Sequence, residues 1–186
     1  YFTPNLVRIL SKSVSEIGVS LRVGNRESVI SDLDEGRCEL AIMGRPPRVP
    51  AVHSVPLGPH PHGVILPPDH PFAKENGFDP ALLVQETFIS REEGSGTRVL
   101  MQKFFDRFRE GPVARMVEME SNETIKQAVR AGLGIALLSL HTVHEEVAEG
   151  RLALLRGPGL PMVRHWYLVW PADVERSLAA KRIADS

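Results

Sequence analysis

An α/β fold of two Rossmann-like lobes is predicted from three features of the sequence. Residues 19–43 and residues 113–139 each run through a strand pattern, an amphipathic helix pattern and a second strand pattern, with short turns between them. Units of this type place their two strands parallel, with a right-handed helical crossover. Between the units the chain becomes rich in proline and histidine. Such a change in composition is typical of a segment that crosses between lobes.

The first unit follows an amphipathic helix that begins near Pro4. Residues 19–23 alternate apolar and polar side chains, which predicts a half-buried strand. A helix is predicted from 27 to 35, because its apolar residues recur on one face and Gly36 follows as the usual residue after a helix end. Residues 39–43 form the next predicted strand, so the loop after them lies at a strand's carboxyl end.

The second unit is preceded by a strand at 86–89 and by a helix whose apolar face is predicted to hold Val99, Leu100, Phe104 and Phe108. The unit itself comprises a strand at 113–119, a helix at 123–131 and a strand at 135–138. Further predicted elements are a short helix starting at Pro80, a helix at 140–149, a strand at 152–155 and a last helix at 174–184.

Two extended segments are predicted to join the lobes. The first consists of short strands at 52–57 and 63–66, and the second is a longer strand at 163–170. The lobes are accordingly predicted as subdomain I, residues 1–60 plus 168–186, and subdomain II, residues 61–167. A two-strand hinge between α/β lobes creates a cleft, and ligands of open α/β sheets bind outside the carboxyl ends of the strands.

The strongest candidate site is the glycine-rich segment at residues 90–98, which combines two arginines, two glycines and two hydroxyls: Arg91, Arg98, Gly94, Gly96, Ser95 and Thr97. A glycine-rich turn that leads into a helix leaves backbone N–H groups unpaired, with the positive end of the helix dipole behind them. Such a helix start attracts phosphate or carboxylate, and guanidinium groups suit the same anions. The alternative is a well-capped loop in which a hydroxyl serves only as the N-cap, and Arg98 pairs with an acid such as Glu93.

Other polar residues follow the remaining strands and extend the candidate site: Asn25, Gly44, Arg45, Ser121 and Asn122. Three of them have a competing structural interpretation. Asn25 suits the N-cap of the helix that follows it, and Ser121 and Asn122 compete for the same role in the second unit. Lys126, one turn further, could steer anions but is expected on a solvated helix face.

The composition of the chain and the motifs it lacks argue against several functional classes. The net charge of -1 argues against a nucleic-acid reader, and the single cysteine excludes an internal disulfide and fits a reducing compartment. No apolar run approaches the roughly 20 residues of a membrane span. The histidine pairs His60/His62 and His141/His144 lack a metal-ligand set, and no catalytic triad or carboxylate pair is present, so neither a metal nor catalysis is predicted.

The ordered segments VSLRVGNRE, LAIMGRPP, PPDHPFA, REEGSGTR and SNETIKQAVRAGLGIALLS resemble the effector-binding domain of LysR-type transcriptional regulators. They are most similar to the branch that regulates Calvin-cycle (RuBisCO) operons. The resemblance implies a type 2 periplasmic-binding-protein-like fold with a small-molecule effector between the lobes. In this family a first β-strand precedes the position of Tyr1, so that strand is expected to be missing here.

The resemblance also implies the setting of the domain. An amino-terminal winged helix-turn-helix domain, absent from this chain, would make the DNA contacts, and this domain would form a homodimer within a full-length homotetramer. The protein would be cytoplasmic, without a membrane partner or cofactor, and its effector would be a sugar phosphate, phosphoenolpyruvate or NADPH. A free-standing solute-binding protein for a small anion is the alternative, and the full open reading frame separates the two.

Overall fold

The computed structural model describes residues 20–108, 115–178 and 180–181. They form two compact units, which divide between Pro59 and His60 and again between Val163 and Arg164. The sequence predicts these boundaries after residues 60 and 167, so the second lies four residues earlier than predicted (167 − 163). The helix predicted near Pro4 lies outside the described residues. Residues 179 and 182–184 of the last predicted helix lie outside them as well.

Each unit boundary falls inside a long strand. Strand β2 spans Val52–Leu66, and strand β7 spans Met162–Pro171. The chain therefore passes between the units twice in extended conformation, as the sequence predicts. The division of β2 into two short strands is wrong. Pro59 and Pro61 lack N–H groups on the same edge of the strand, and pairing with the strand at Ala136–Ser139 begins just after them, at His62.

The first unit contains helix α1 at Arg26–Asp34 and strand β1 at Ala41–Met43. Strand β1 pairs antiparallel with β7, with Ala41 opposite Val169. Leu33 of α1 packs against the buried side chains of both strands, so a small apolar core holds the three elements together.

The strand predicted for residues 19–23 is wrong in its described part, because residues 20–25 have no regular structure. Val23 is 88% exposed, so the alternating apolar side chains are not covered by a second layer. Alternation stabilises a strand only when a neighbour pairs with its backbone and other residues bury its apolar face. Because β1 pairs antiparallel, the first parallel strand–helix–strand unit is not found among the described residues.

The second unit has a parallel core. Strand β3, Thr87–Arg91, pairs in parallel with β4, Arg115–Met119. On its other side Phe88 forms a parallel bridge with Ile135, just before strand β5 at Ala136–Ser139. Helix α3, Gly96–Phe105, connects β3 to β4, and helix α4, Asn122–Arg130, connects β4 to β5. The prediction of a strand–helix–strand unit in this region is confirmed.

The remaining elements of the second unit are short. They are the 3-10 helices Pro71–Lys74 and Leu140–Thr142, helix α2 at Pro80–Leu83, helix α5 at His144–Ala148 and strand β6 at Ala153–Leu154. The helix predicted for 140–149 is interrupted at Val143. Just before this break, the Thr142 hydroxyl donates to the Ser139 carbonyl at 2.7 Å. Strands β5 and β6 both pair antiparallel with β2.

The two crossover helices pack on opposite faces of this sheet. Phe88 belongs to the apolar cluster of α3, whereas the next residue, Ile89, belongs to the cluster of α4. This alternation is the period of two expected for a strand buried on both faces. Helix α3 buries Phe104 as predicted, but Val99 is 51% exposed, so its predicted inward position is wrong. None of the helices in the described part of the chain has the length and apolar character needed to cross a membrane.

Candidate anion-binding site

The carboxyl ends of β3 and β4 form one edge of the second unit. The strands end level with each other, because Arg91 is paired with Met119. A short loop leads from each strand into a helix, α3 after β3 and α4 after β4. Two helix N-termini therefore start from the same edge of a parallel sheet, where ligands of open α/β sheets bind. Their first-turn N–H groups favour an anion.

Serine hydroxyls cap both helices. Ser95 accepts a hydrogen bond from the Thr97 N–H at 3.3 Å, and Ser121 accepts one from the Thr124 N–H at 3.0 Å. Ser121 is therefore the cap in the second case, and Asn122 is the first helical residue. Each cap satisfies one of the helix's early N–H groups and leaves others without an intrahelical acceptor. Gly94, with φ of 81°, gives the chain the left-handed turn that leads into α3.

Arg91 links the two loops. Its Nη1 donates to Asn122 Oδ1 at 2.6 Å, while its Nε and Nη2 donate to the two carboxylate oxygens of Glu92 at 2.6 and 2.9 Å. The Arg91 and Glu92 side chains are largely buried. All three nitrogens of the Arg91 side chain donate hydrogen bonds. Through the bond to Asn122, this guanidinium holds the end of β3 against the start of α4.

Arg98 lies in the first turn of α3 and is more accessible. Its Nη1 donates to the Arg91 carbonyl at 3.0 Å and also to the carboxylate of Glu118 on β4. The Arg98 and Glu118 side chains are 34% and 53% exposed. The acid partner is therefore Glu118, and not the Glu93 considered from the sequence. An exposed pair of this kind contributes about 0–1 kcal/mol, so an incoming anion can displace Glu118 at small cost.

The other predicted residues belong to the first unit. Asn25 is the N-cap of α1 and accepts from the Ser28 N–H at 2.9 Å, which is its structural interpretation. Gly44 is half-buried and Arg45 is exposed, directly after β1. The Arg45 carbonyl accepts from the guanidinium of Arg26, a residue that the sequence did not single out. Burial, together with the charge of Arg45, lowers the pKa of Arg26.

The structure thus brings together the predicted residues of the second unit: Arg91, Gly94, Ser95, Gly96, Thr97, Arg98, Ser121 and Asn122. Asn25, Gly44 and Arg45 lie in the other unit. The predicted cleft between the lobes stays a prediction, and so does the binding of an effector by these residues.

A family model described as the LysR substrate binding domain matches residues 1–186. The chain belongs to this family. A HTH-type transcriptional regulator CbbR of Cereibacter sphaeroides is 55% identical over 183 residues, which are 98% of this chain and 59% of that protein. The RuBisCO operon transcriptional regulator of Allochromatium vinosum is 44% identical over 180 residues, 97% of this chain and 59% of that protein. The chain thus spans about three-fifths of these relatives' length.

Solved structures of LysR regulatory domains share the fold. The regulatory domain of Synechocystis PCC6803 CcmR, in complex with 2-PG, matches with a TM-score of 0.91 and 34% identity, covering 100% of this chain and 88% of that one. The effector binding domain of QuiR, in complex with shikimate, has a TM-score of 0.84 at 23% identity, with the same coverage, and shows the fold alone. The predicted type 2 periplasmic-binding-protein-like α/β fold is confirmed.

In this LysR domain Lys126 is buried, contrary to the solvated position expected from the sequence. Its ammonium group lies 2.6 Å from Glu146 Oε1 on α5 and 2.9 Å from Glu123 Oε2 in the first turn of α4. Burial alone would raise the pKa of Glu146, but the hydrogen bond from Lys126, a bond from its own backbone and the nearby cations lower it below the ordinary value. Lys126 therefore joins α4 to α5 and is not available to steer an anion.

Two buried histidines, with the exposed His141 beside them, lie at the start of the second unit's sheet. His60 Nε2 is hydrogen-bonded to Ser139 Oγ at 3.0 Å, and His62 Nδ1 donates to the His60 carbonyl at 3.1 Å. The His141 ring stacks at 5.9 Å from the His60 ring. Burial, followed by the charges of the other two imidazoles, lowers the pKa of His60 to about 3, so it is neutral at neutral pH. Within the described residues, no group of three or more His, Cys, Asp or Glu side chains is arranged to hold a metal ion.

Proposed function

We propose that this domain senses a small phosphorylated metabolite for a LysR-type regulator of CO2-fixation genes. The observation that carries the proposal is the arrangement at the β3–β4 edge, where two arginines and two helix N-termini lie together. The names of the CbbR and RuBisCO operon relatives support the regulatory role.

The chemistry of this edge favours a dianion over a neutral ligand. The acid partner of Arg98, Glu118, is exposed, so a phosphate group can replace that carboxylate. The early N–H groups of α3 and α4 then add backbone donors, supported by the helix dipoles. The structure of the CcmR regulatory domain with 2-PG makes 2-PG the first compound to test, followed by sugar phosphates, phosphoenolpyruvate and NADPH.

A bound effector acts on transcription only if it binds one arrangement of the protein more tightly than another. We propose that the domain works as a homodimer within a homotetramer and that a helix-turn-helix domain outside this chain makes the DNA contacts. The effector then changes the population of the dimer arrangement that presents those DNA-binding domains to the promoter.

Calorimetric titration with 2-PG tests the proposal. Arg98→Gln removes the charge and keeps a polar side chain, so affinity should fall about tenfold or more, as the loss of a charge-assisted hydrogen bond predicts. The matched control is Arg130→Gln, which changes an exposed arginine in the last turn of α4. The free energy of unfolding should change by less than about 1 kcal/mol in both variants. Equal affinity in the wild type and Arg98→Gln would contradict the assignment of the anion site.

A further inference from the structure

The first unit has a cavity that is open to solvent at its surface, lined by none of the residues of the β3–β4 edge. It has a volume of about 390 Å³ and lies around the end of β7; its lining includes His53, Trp170, Pro171, Val174, Arg176 and Lys181. All of these residues belong to the first unit. A volume of this size is at the lower end of the range for small-molecule pockets, about 300–1,000 Å³.

Arg176 is the residue that gives this cavity a chemical preference. Its guanidinium carbon lies 4.4 Å from the centroid of the Trp170 ring, a cation–π contact. Its Nη1 is buried and has no hydrogen-bond partner in the described part of the chain. A guanidinium cannot lose its proton to relieve this situation, and a buried donor without an acceptor is unfavourable. A rotation of the terminal group toward an anion in the cavity would give this nitrogen an acceptor.

The charges around the cavity also favour an anion. Lys181 Nζ lies 2.9 Å from Glu175 Oε1, so this carboxylate forms an ion pair with the lysine. Glu175 is largely exposed, and the hydrogen bond from Lys181 lowers its pKa. Among the described residues, Arg176 forms no ion pair of its own. Two cations therefore face one carboxylate, which leaves an excess of positive charge.

Flat and apolar surfaces complete the lining. The rings of His53 and Trp170 have centroids 5.9 Å apart at an interplanar angle of 36°. Val174 is an apolar residue of the same cavity and is mostly exposed to solvent. Planar unsaturated groups pack well against surfaces of this kind.

We propose that the cavity beside Trp170 and Arg176 is a second ligand site, which takes a small acid with an oxyanion and a planar unsaturated group. The oxyanion, a carboxylate or a phosphate monoester, would bind Arg176, and the planar group would lie against Trp170 and Val174. This inference does not depend on the proposed anion site in the second unit.

Tryptophan fluorescence can report on this site directly, because the chain has only two tryptophans. In a Trp166→Phe background, Trp170 is the single reporter. The probes are phenyl phosphate, benzoate and inorganic phosphate at up to millimolar concentrations. Phenyl phosphate and benzoate should change the emission saturably, and their relative affinities distinguish the two oxyanions. Inorganic phosphate should bind more weakly, because it lacks the planar group.

Three substitutions decide whether the response comes from this site, with affinities taken from the Trp170 emission. Arg176→Gln should weaken phenyl phosphate binding about tenfold or more, as the loss of a charge-assisted hydrogen bond predicts. Glu175→Gln should tighten binding, because it frees Lys181 from its carboxylate partner at an exposed position. Arg130→Gln, which changes an exposed arginine outside both proposed sites, should leave the Trp170 response unchanged. No saturable response, equal binding by wild type and both first-unit variants, or loss of the Trp170 response in Arg130→Gln would overturn the proposal.

Discussion

The buried Lys126–Glu146 pair gives a quantitative prediction about stability. The two side chains are 5% and 9% exposed, and their charged atoms lie 2.6 Å apart. Lys126→Met keeps most of the side chain's apolar volume but leaves the Glu146 carboxylate buried without its closest cation. Loss of one partner from a buried pair typically costs about 3–5 kcal/mol, because the remaining charge is desolvated and uncompensated. We therefore expect Lys126→Met to lower the free energy of unfolding by about that amount.

Glu123 supplies the matched control for this experiment. It also contacts Lys126, at 2.9 Å, but its side chain is 55% exposed. Glu123→Gln should therefore cost less than about 1 kcal/mol. In the double variant Lys126→Met/Glu146→Leu, no charge remains buried, so most of the stability should return. Urea unfolding followed by circular dichroism measures all three values, provided that the slope with urea concentration is unchanged.

The pH dependence of the same variants tests the cause. In the wild type the pKa of Glu146 is below its ordinary value of 4.5, so its contribution to stability is present above that value and is lost as the pH falls through the lowered pKa. In Lys126→Met, burial is no longer opposed by the hydrogen bond and charge of the lysine, so this pKa should rise. The deficit of the variant should then shrink as the pH is lowered from neutral. A Lys126→Met deficit below about 1 kcal/mol, or one independent of pH, would refute the reasoning.

Two further predictions concern the sheet of the second unit. His60 has a pKa of about 3 in the folded chain against an ordinary value of 6.5, so the unfolded chain binds the extra proton and stability should fall by up to about 1.4 kcal/mol per pH unit as the pH drops through this window. His60→Gln should flatten that dependence in urea unfolding at a series of acidic pH values, and an unchanged slope would contradict it. Gly134→Ala should destabilise by about 1–3 kcal/mol in the same assay, because the new Cβ would lie 2.3 Å from the Thr87 carbonyl oxygen. Gly77→Ala, where nothing lies within 4 Å, is its control, and equal effects of the two changes would argue against the close contact.

The sequence predicts best where neighbouring residues determine the structure. The caps at Asn25, Ser95 and Ser121 depend on a side chain and a backbone N–H two or three residues away, so a local pattern is sufficient to find them. The crossover helices of the second unit are also evident, because their apolar residues recur with the helical period. These local signals placed the helix N-termini of the candidate site.

The errors come from contacts between residues that are distant in sequence. Lys126 is buried because it pairs with Glu146 on the neighbouring helix α5, and no local pattern indicates that pairing. His60 is buried because Ser139 and His141, which are distant in sequence, lie next to it, although the proline- and histidine-rich segment around His60 looks like a loop in the sequence. Conversely, residues 20–23 alternate as a strand should but are not covered by other residues.

Arg91 and Arg98 have different surroundings and therefore different roles at the β3–β4 edge. Arg91 is bound on all its donor nitrogens and joins two loops, so altering it would disturb the scaffold itself. Arg98 reaches outward with an easily exchanged acid partner. Anyone redesigning this domain to recognise a different metabolite should therefore keep Arg91 and diversify position 98, together with Glu118.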